Sequence, residues 1–521
     1  MRKPLSLAFL ISSLCLTSCE WLEEHKGYEK ITAFTQIGDI ALTGGGTAAE
    51  ISAFDSKTNR LFVVNAVKSA IDVIDMSDPF NLEFDQEISI LEYGAGVNSV
   101  AVNNGLLAAA IESDPKTDPG KVVIWNTADL SVRGVVTVGA LPDMVAFSAN
   151  GRYIVSANEG EPNEDYTVDP KGTISIIRLP GLTVSTLDFS AFSGQANFLK
   201  TKGFRTPGPA GTGFAEDVEP EYAAISHDSR TAWVTLQENN AIAKIDLHSS
   251  RIEEIFPLGF LDHNLPQNAI DASDDDGEVG VHKQWPVKGM YLPDGISAFT
   301  SFGTAFIITA NEGDSRIRPT DDDILLPPNE EEGDIFNEED RVEDVLLDPT
   351  KFPDLSIQNE GKLGRLKITN TLGDVDGDGD FDELYSFGTR SFTIRNGSSG
   401  KIVYESGKKL EEFLLEKEPS FYDDGRSDDK GAEPESVTTG KVGPRTLAFV
   451  ALERADALVV VDVTHPSSPL FLQVLQTGEE PEGVLFIPKH ESPINKSLVV
   501  TSCEGDGTVQ VFTFTGEETD L

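Results

Sequence analysis

By length alone, a chain of 521 residues would hold about three domains of ordinary size, unless its body is built from repeats. Its formal net charge of −46 argues against nucleic acid or an anionic lipid surface as a partner and makes cations the natural counterpart. Most of its 87 acidic residues must nevertheless be solvated surface, and three cysteines are too few for a disulfide framework.

At the N-terminus, Arg2 and Lys3 precede an apolar run from Pro4 to Leu16 that is too short to span a bilayer permanently. Residues 1–18 therefore read as a signal peptide that is removed on export. The run ends Leu16-Thr17-Ser18-Cys19, the pattern of a bacterial lipobox, in which small residues fit the peptidase and the Cys19 sulfur accepts a diacylglycerol. Losing Arg2 and Lys3 takes the charge from −46 to −48. Cys15 leaves with the signal and Cys19 is acylated, so Cys503, at the end of an apolar strand, is left as a lone and buried thiol. Residues 19–30 become a lipidated tether, and the membrane is a partner through acyl chains, since no later run is long enough to span. Glu20 replaces the aspartate associated with inner-membrane retention in enteric bacteria, which favours an exported lipoprotein of the outer membrane in the bacterial cell envelope.

From residue 31 to 521 one pattern recurs: a short strand, a turn, a second strand, and an acid or Asn where that strand stops. The stops are Asn65, Glu112, Glu159, Glu238, Glu312, Glu453 and Glu504. A companion residue stands just before each first strand: Glu50, Asn98, Asp143, Glu221, Asp294, Glu435 and Glu482. Third strands such as Val122–Trp125, Ile174–Ile177, Ile242–Ile245, Leu458–Val461 and Val509–Phe512 follow. The pattern predicts an all-β chain, a single β-propeller of four-stranded, WD40/YVTN-like units. Spacing between companions runs from 45 residues (98 to 143) to 141 (294 to 435), so long loops interrupt the blades, with a main insertion around 315–430. Seven blades is the simplest count, and strand pattern from Leu366 to Val403 leaves eight open. The early strand Ile31–Phe34 would lie beside the last C-terminal strands and close the ring, removing an exposed edge. A β-sandwich array is the competing architecture.

In an antiparallel hairpin the start of the first strand lies beside the end of the second, so both marks of each repeat meet at one end of the blade. Glu50, Asp143, Glu221, Asp294, Glu435 and Glu482 should form an inner ring at one mouth of the channel. Glu112, Glu159, Glu238, Glu312, Glu453 and Glu504 should lie close outside it. Crowded carboxylates repel one another unless a positive charge sits among them, which calcium or another divalent or transition metal in the channel would supply. Alternatively each acid accepts turn N–H groups and ties neighbouring blades together. Arg316, Arg426 and Arg454 follow some marks closely and could neutralise part of the ring or contact an anion.

Within the insertion, Asp374, Asp376, Asp378 and Asp382 stand at positions 1, 3, 5 and 9 of a loop with Gly379 at position 6 and Asp380 beside it. This alternation wraps carboxylates around one centre, and calcium is the ligand it predicts. Tyr385 stands at position 12, where an EF-hand requires a bidentate Glu, so the loop instead resembles the calcium hairpin of integrin α-subunit propellers. The acidic runs Asp274–Glu278, Asp321–Asp323 and Glu330–Glu332 lack such alternation and read as solvated loops. The run Asp423–Gly431 leads into Glu435 and could overhang the channel as a lid. There is no His-Glu-x-x-His, nucleophile elbow or phosphate loop, and His227 and His282 read as ordinary loop residues.

Four stretches, Ser156–Asn163, Trp233–Ile242, Asn311–Asp314 and Arg426–Glu435, resemble the choice-of-anchor I domain, a family that includes relatives of the mesenchyme-specific cell surface glycoprotein. The resemblance covers residues 40 to 515 or so and implies a propeller body, a surface location and an attachment that varies among members. It brings no catalytic residues, although some relatives are labelled alkaline phosphatases. Two functions follow. The first is a non-catalytic, monomeric envelope protein binding calcium and a surface or matrix ligand. The alternative is a metal-dependent phosphoester hydrolase at the channel mouth, where metal would polarise phosphate and activate water.

Overall fold

Second strands such as Arg60–Asn65, Tyr153–Asn158 and Leu498–Cys503 are buried along almost their whole length, which requires cover on both faces of the sheet. The computed structural model describes residues 33–318 and 336–518, and there it supplies that cover by stacking sheet on sheet. Cys19, residues 1–32 and the runs Asp321–Asp323 and Glu330–Glu332 lie outside the described residues. No helix among the described residues is long and apolar enough to cross a membrane.

Seven four-stranded sheets form the body. Their first strands are Ala49–Asp55, Val97–Asn103, Pro142–Phe147, Ala223–Ile225, Ile296–Ser301, Pro434–Val442 and Pro481–Ile487. Within each sheet the strands pair antiparallel with their neighbours in turn. Each first strand packs on the next, and Pro481–Ile487 returns to pack on Ala49–Asp55. Apolar cores follow the same order. One joins the first and second sheets through Phe62, Val64, Leu107 and Trp125, and another joins the sixth and seventh through Phe449, Val460, Val499 and Phe512. A further core joins the seventh sheet back to the first through Leu61, Val63, Leu498 and Val500.

The seventh sheet draws its fourth strand from the other end of the chain. Phe34–Ala41 pairs antiparallel with Thr508–Phe514, Phe34 opposite Phe514 and Ala41 opposite Thr508. Phe34 is buried and its ring meets Phe449 edge-on, 5.2 Å between centroids.

The fifth sheet is the one that the long insertion interrupts. Its second strand, Thr304–Asn311, pairs with Ser391–Asn396, so the chain leaves after Asn311 and returns 80 residues later. Between these strands, Lys367–Thr369 and Leu384–Ser386 join Phe260–Asp262, Val287–Met290 and Glu339–Arg341 in a separate five-stranded sheet with its own small apolar core. The strand pattern from Leu366 to Val403 thus divides between this side sheet and the last two strands of the fifth sheet, Ser391–Asn396 and Ile402–Glu405, and builds no further four-stranded unit.

Candidate site: a carboxylate-lined mouth

The inner acids owe their positions to an irregularity repeated in the sheets. Pairing of first and second strands slips between Ala49 and Ser52, Val97 and Ser99, Pro142 and Met144, Pro434 and Val437, and Pro481 and Gly483. Each slip brackets a companion residue: Glu50, Asn98, Asp143, Glu435 or Glu482. A bulge frees one residue from the ladder and re-aims its side chain. Leu141, Glu433 and Glu480 ahead of a bulge, and Leu292 in the fifth sheet, whose pairing shows no slip, each hold a positive φ, between 40° and 54°, directly before a proline. Non-glycine residues adopt that conformation at a cost, so the same strained turn is enforced at four equivalent places. After the acid, Gly295 and Gly483 let the adjoining sheet come close: a Cβ on Gly483 would lie 2.4 Å from the Glu50 carbonyl oxygen.

Glu50, Asn98, Asp143, Asp294 and Glu482 line one cavity of about 200 Å³. Ile51, Ser99, Met144 and Tyr222 form its floor and also line a second, more apolar cavity beyond, with Phe54, Val100, Phe147 and Phe486. Four of the six predicted inner acids, Glu50, Asp143, Asp294 and Glu482, thus line one cavity together with Asn98. Glu221 and Glu435 are buried beside it, and carboxylate oxygens of Asp143, Glu159 and Glu221 lie within 4.8 Å of one another, as do those of Glu312, Glu435 and Glu453.

Crowding and burial dominate the electrostatics. Burial first, then Glu504, Asp143 and Glu112, pushes the Glu50 carboxyl up to about 8. Burial followed by Glu161 and Glu112 lifts Asp143 to about 7. Burial raises Glu453 to about 8 and Glu238 to about 7, the latter against the pull of Arg316. Glu221, Asp294, Glu435 and Glu482 are held well above the usual carboxylate range by burial first and then by neighbouring acids, Glu159 for Glu221, Glu312 for Asp294 and Glu435, and Asp294 for Glu482. Turn N–H groups do not relieve this: among the described residues, no backbone N–H donates to the side chains of Glu50, Asp143, Glu221, Asp294, Glu435 or Glu482.

The outer acids differ among themselves. Glu312 accepts from Gln237 Nε2 at 2.7 Å and pairs with Lys430. Glu453 pairs with Arg454 at 2.9 Å. Glu112 is raised by burial and lowered by nearby Lys116. All three predicted arginines are engaged by carboxylates. Arg316 is buried and reaches Asp217 at 2.6 Å and Glu219 at 2.5 Å. Arg426 holds Glu433 at 2.6 Å and Asp429 at 3.0 Å, and Arg454 also holds Glu480.

Several participants escaped the sequence reading. Glu161, Glu219 and Glu433 each stand two residues from a marked acid, and the pattern Glu-x-Glu at 159–161, 219–221 and 433–435 was their visible signal. Arg318 pairs with Glu161, and Lys116 reaches the same carboxylate at 2.8 Å. The run Asp423–Gly431 does lie at the mouth, but it is pinned. Asp428 holds Arg341 at 2.6 Å, Asp429 holds Lys367 at 3.2 Å, and Arg390 donates to the Ser427 carbonyl at 2.7 Å. In the run Asp274–Glu278, Asp275 and Glu278 are exposed, while Asp274 pairs with Arg365 and Asp276 with Lys283 at 2.7 Å; His282 lies in a loop with its ring 2.8 Å from Glu411.

In the hairpin at 374–382, Asp374 Oδ1 accepts the N–H groups of Gly377 at 2.7 Å and Asp378 at 3.2 Å, and its Oδ2 accepts that of Gly379 at 3.1 Å. Oxygens of Asp374, Asp376 and Asp382 come within 4.8 Å of one another. Asp378, exposed, and Asp380, half-buried, stand outside that trio, and the N–H of Asp380 donates to Asp378 at 3.2 Å. Asp378, burial and Asp382 raise the Asp376 carboxyl.

A model of the choice-of-anchor I domain matches residues 50–466. Gigasin-3a of Magallana gigas is 25% identical over 198 residues, covering 32% of this chain and 69% of the relative. The mesenchyme-specific cell surface glycoprotein of Strongylocentrotus purpuratus is 25% identical over 333 residues, 57% of this chain and 42% of the relative. Among solved structures, the β-propeller domain of Cps50 (Swd1) from Myceliophteria thermophila aligns over 91% of this chain and 98% of its own, at 8% identity and a TM-score of 0.44.

Proposed function

Because the chain belongs to the choice-of-anchor I family, we propose that it is a surface-anchored, seven-bladed β-propeller that holds divalent cations at its acidic mouth and calcium in the hairpin at 374–382. What supports seven blades is the return of the seventh sheet onto the first, through both its first strand and a shared core. Closure is supported by the pairing of Phe34–Ala41 with Thr508–Phe514. The observation that carries the function is the inner ring itself: carboxylates from different sheets share one cavity without N–H partners, an arrangement that a cation stabilises far better than water does.

A surface address is supported by the lipobox at Cys19 and by the cell-surface relative. Phe34 enters the seventh sheet at the end remote from Glu482, since Ala41, not Phe34, lies on the side of Cys503 and Pro481. The described chain thus enters away from the acidic mouth, which stays open to a surface or matrix ligand. Hydrolysis of phosphoesters has less to rest on, because Arg316, Arg426 and Arg454 are each occupied by carboxylates.

The test is metal analysis of the chelator-treated and reloaded chain, with Asp376→Asn and Asp143→Asn variants. Calcium should be lost from the hairpin in the first and from the mouth in the second. A chain that retains no divalent metal in any form would overturn the reading.

A further inference from the structure

Resting on the reading of the mouth as a cation site, we infer that its metal is a pair of divalent ions at the boundary of the third and fourth sheets, bridged by Glu159. Two carboxylate trios meet there, Asp143, Glu159 and Glu221, and Glu159, Glu219 and Glu238, each with oxygens within 4.8 Å of one another. A hard cation binds oxygen at about 2.3–2.6 Å, so oxygens on opposite sides of it stand about 4.6–5.2 Å apart and each trio fits around one ion. Glu159 belongs to both trios, and a carboxylate with two oxygens can ligate one ion through each. Metal pairs linked in this way sit about 3.5–4 Å apart. Glu219 and Glu221, on either side of Pro220, go to different trios.

Two further observations point to a ligand. Glu238 is 5% exposed, and its Oε2 is buried with no hydrogen-bond partner. A buried carboxylate oxygen is costly unless something binds it. Charge also closes: among the described residues only Glu219 of the five is in an ion pair, with Arg316 at 2.5 Å, and Arg316 also holds Asp217; counted together with Glu161, Arg318 and Lys116, seven carboxylates face three cations, which leaves the four charges that two divalent ions neutralise. Neighbouring Glu161 is taken by Arg318 and Lys116. The other trio, Glu312, Glu435 and Glu453, is served by Lys430 and Arg454 and so has less need of metal. Oxygen-only donors select hard ions such as Ca²⁺, Mn²⁺ or Mg²⁺.

The experiment loads the chain carrying Asp376→Asn, which silences the hairpin, with Mn²⁺ and records its electron paramagnetic resonance. The prediction is two ions per chain with an exchange-coupled spectrum. Adding Glu159→Gln should abolish the coupling and weaken Mn²⁺ binding at least about 10-fold. Adding Glu219→Gln should leave one uncoupled ion. A single uncoupled Mn²⁺ that Glu159→Gln does not disturb would overturn the pair while leaving a cation at the mouth. No Mn²⁺ beyond the hairpin would overturn both. Because the spectrum of the parent chain decides the question, misfolding of a variant cannot rescue the idea, and melting curves of each metal-free variant identify such a failure.

Discussion

Glu50 and Asp143 have folded-state values of about 8 and about 7, both above their ordinary 4.5 and 3.8. A raised carboxyl binds protons more readily in the folded chain, so stability falls as pH rises from the unfolded value through the folded one. The metal-free protein should therefore melt at progressively higher temperature as pH drops from about 8 to about 5. His263 acts in the opposite sense. Burial lowers it from 6.5 to about 4, so below about pH 6.5 it withdraws stability. The carboxylates outnumber it, and the net trend should follow them. Saturating calcium should flatten the trend, because bound metal keeps the ligands ionised. Melting curves with chelator and with calcium across that range measure both effects. By the same logic Glu238→Gln should raise the melting temperature of the metal-free chain while reducing the gain on adding metal.

The element that matters most is the irregular start of the first strands: in the third, sixth and seventh sheets proline, strained turn and bulge together deliver Asp143, Glu435 and Glu482. Gly483→Ala places a Cβ 2.4 Å from the Glu50 carbonyl oxygen, in backbone that has little room to move. It should cost about 1–3 kcal/mol in denaturant unfolding. Phe34→Ala, at the seam between the chain ends, empties a buried site between Phe449 and Phe514 and should cost about 3–5 kcal/mol by the same measurement. The pairing of marks was legible in the sequence because hairpin geometry forces the start of one strand beside the end of the next, and Pro142-Asp143, Pro434-Glu435 and Pro481-Glu482 announce that junction. Glu161, Glu219 and Glu433 were not, since strand periodicity marks one acid per strand end and is silent about its neighbour two residues away. Nor was the fate of Lys367–Thr369 and Leu384–Ser386. Short strands of this length carry apolar alternation without revealing which sheet they join, and here the parallel pairing of Val287–Met290 with Leu384–Ser386 decides it.

On the scale of the whole molecule, the acidic face and the chain's entry point lie at opposite ends of the seventh sheet, and the insertion is bound to the mouth by ion pairs at both ends. Arg316 and Arg318 reach in from one side, and Lys430 from the other. These cations temper the rim without entering the cavity lined by Glu50, Asp143, Asp294 and Glu482. A lipid anchor at Cys19 would set this arrangement on a membrane, and Cys19→Ser should move the protein from the membrane to the soluble fraction on cell fractionation. The central claim is that the mouth binds divalent cations independently of the hairpin, and calorimetric titration of calcium into the metal-free Asp376→Asn chain tests it most directly. The account predicts saturable binding that Asp143→Asn weakens; a titration with no heat beyond dilution would contradict it.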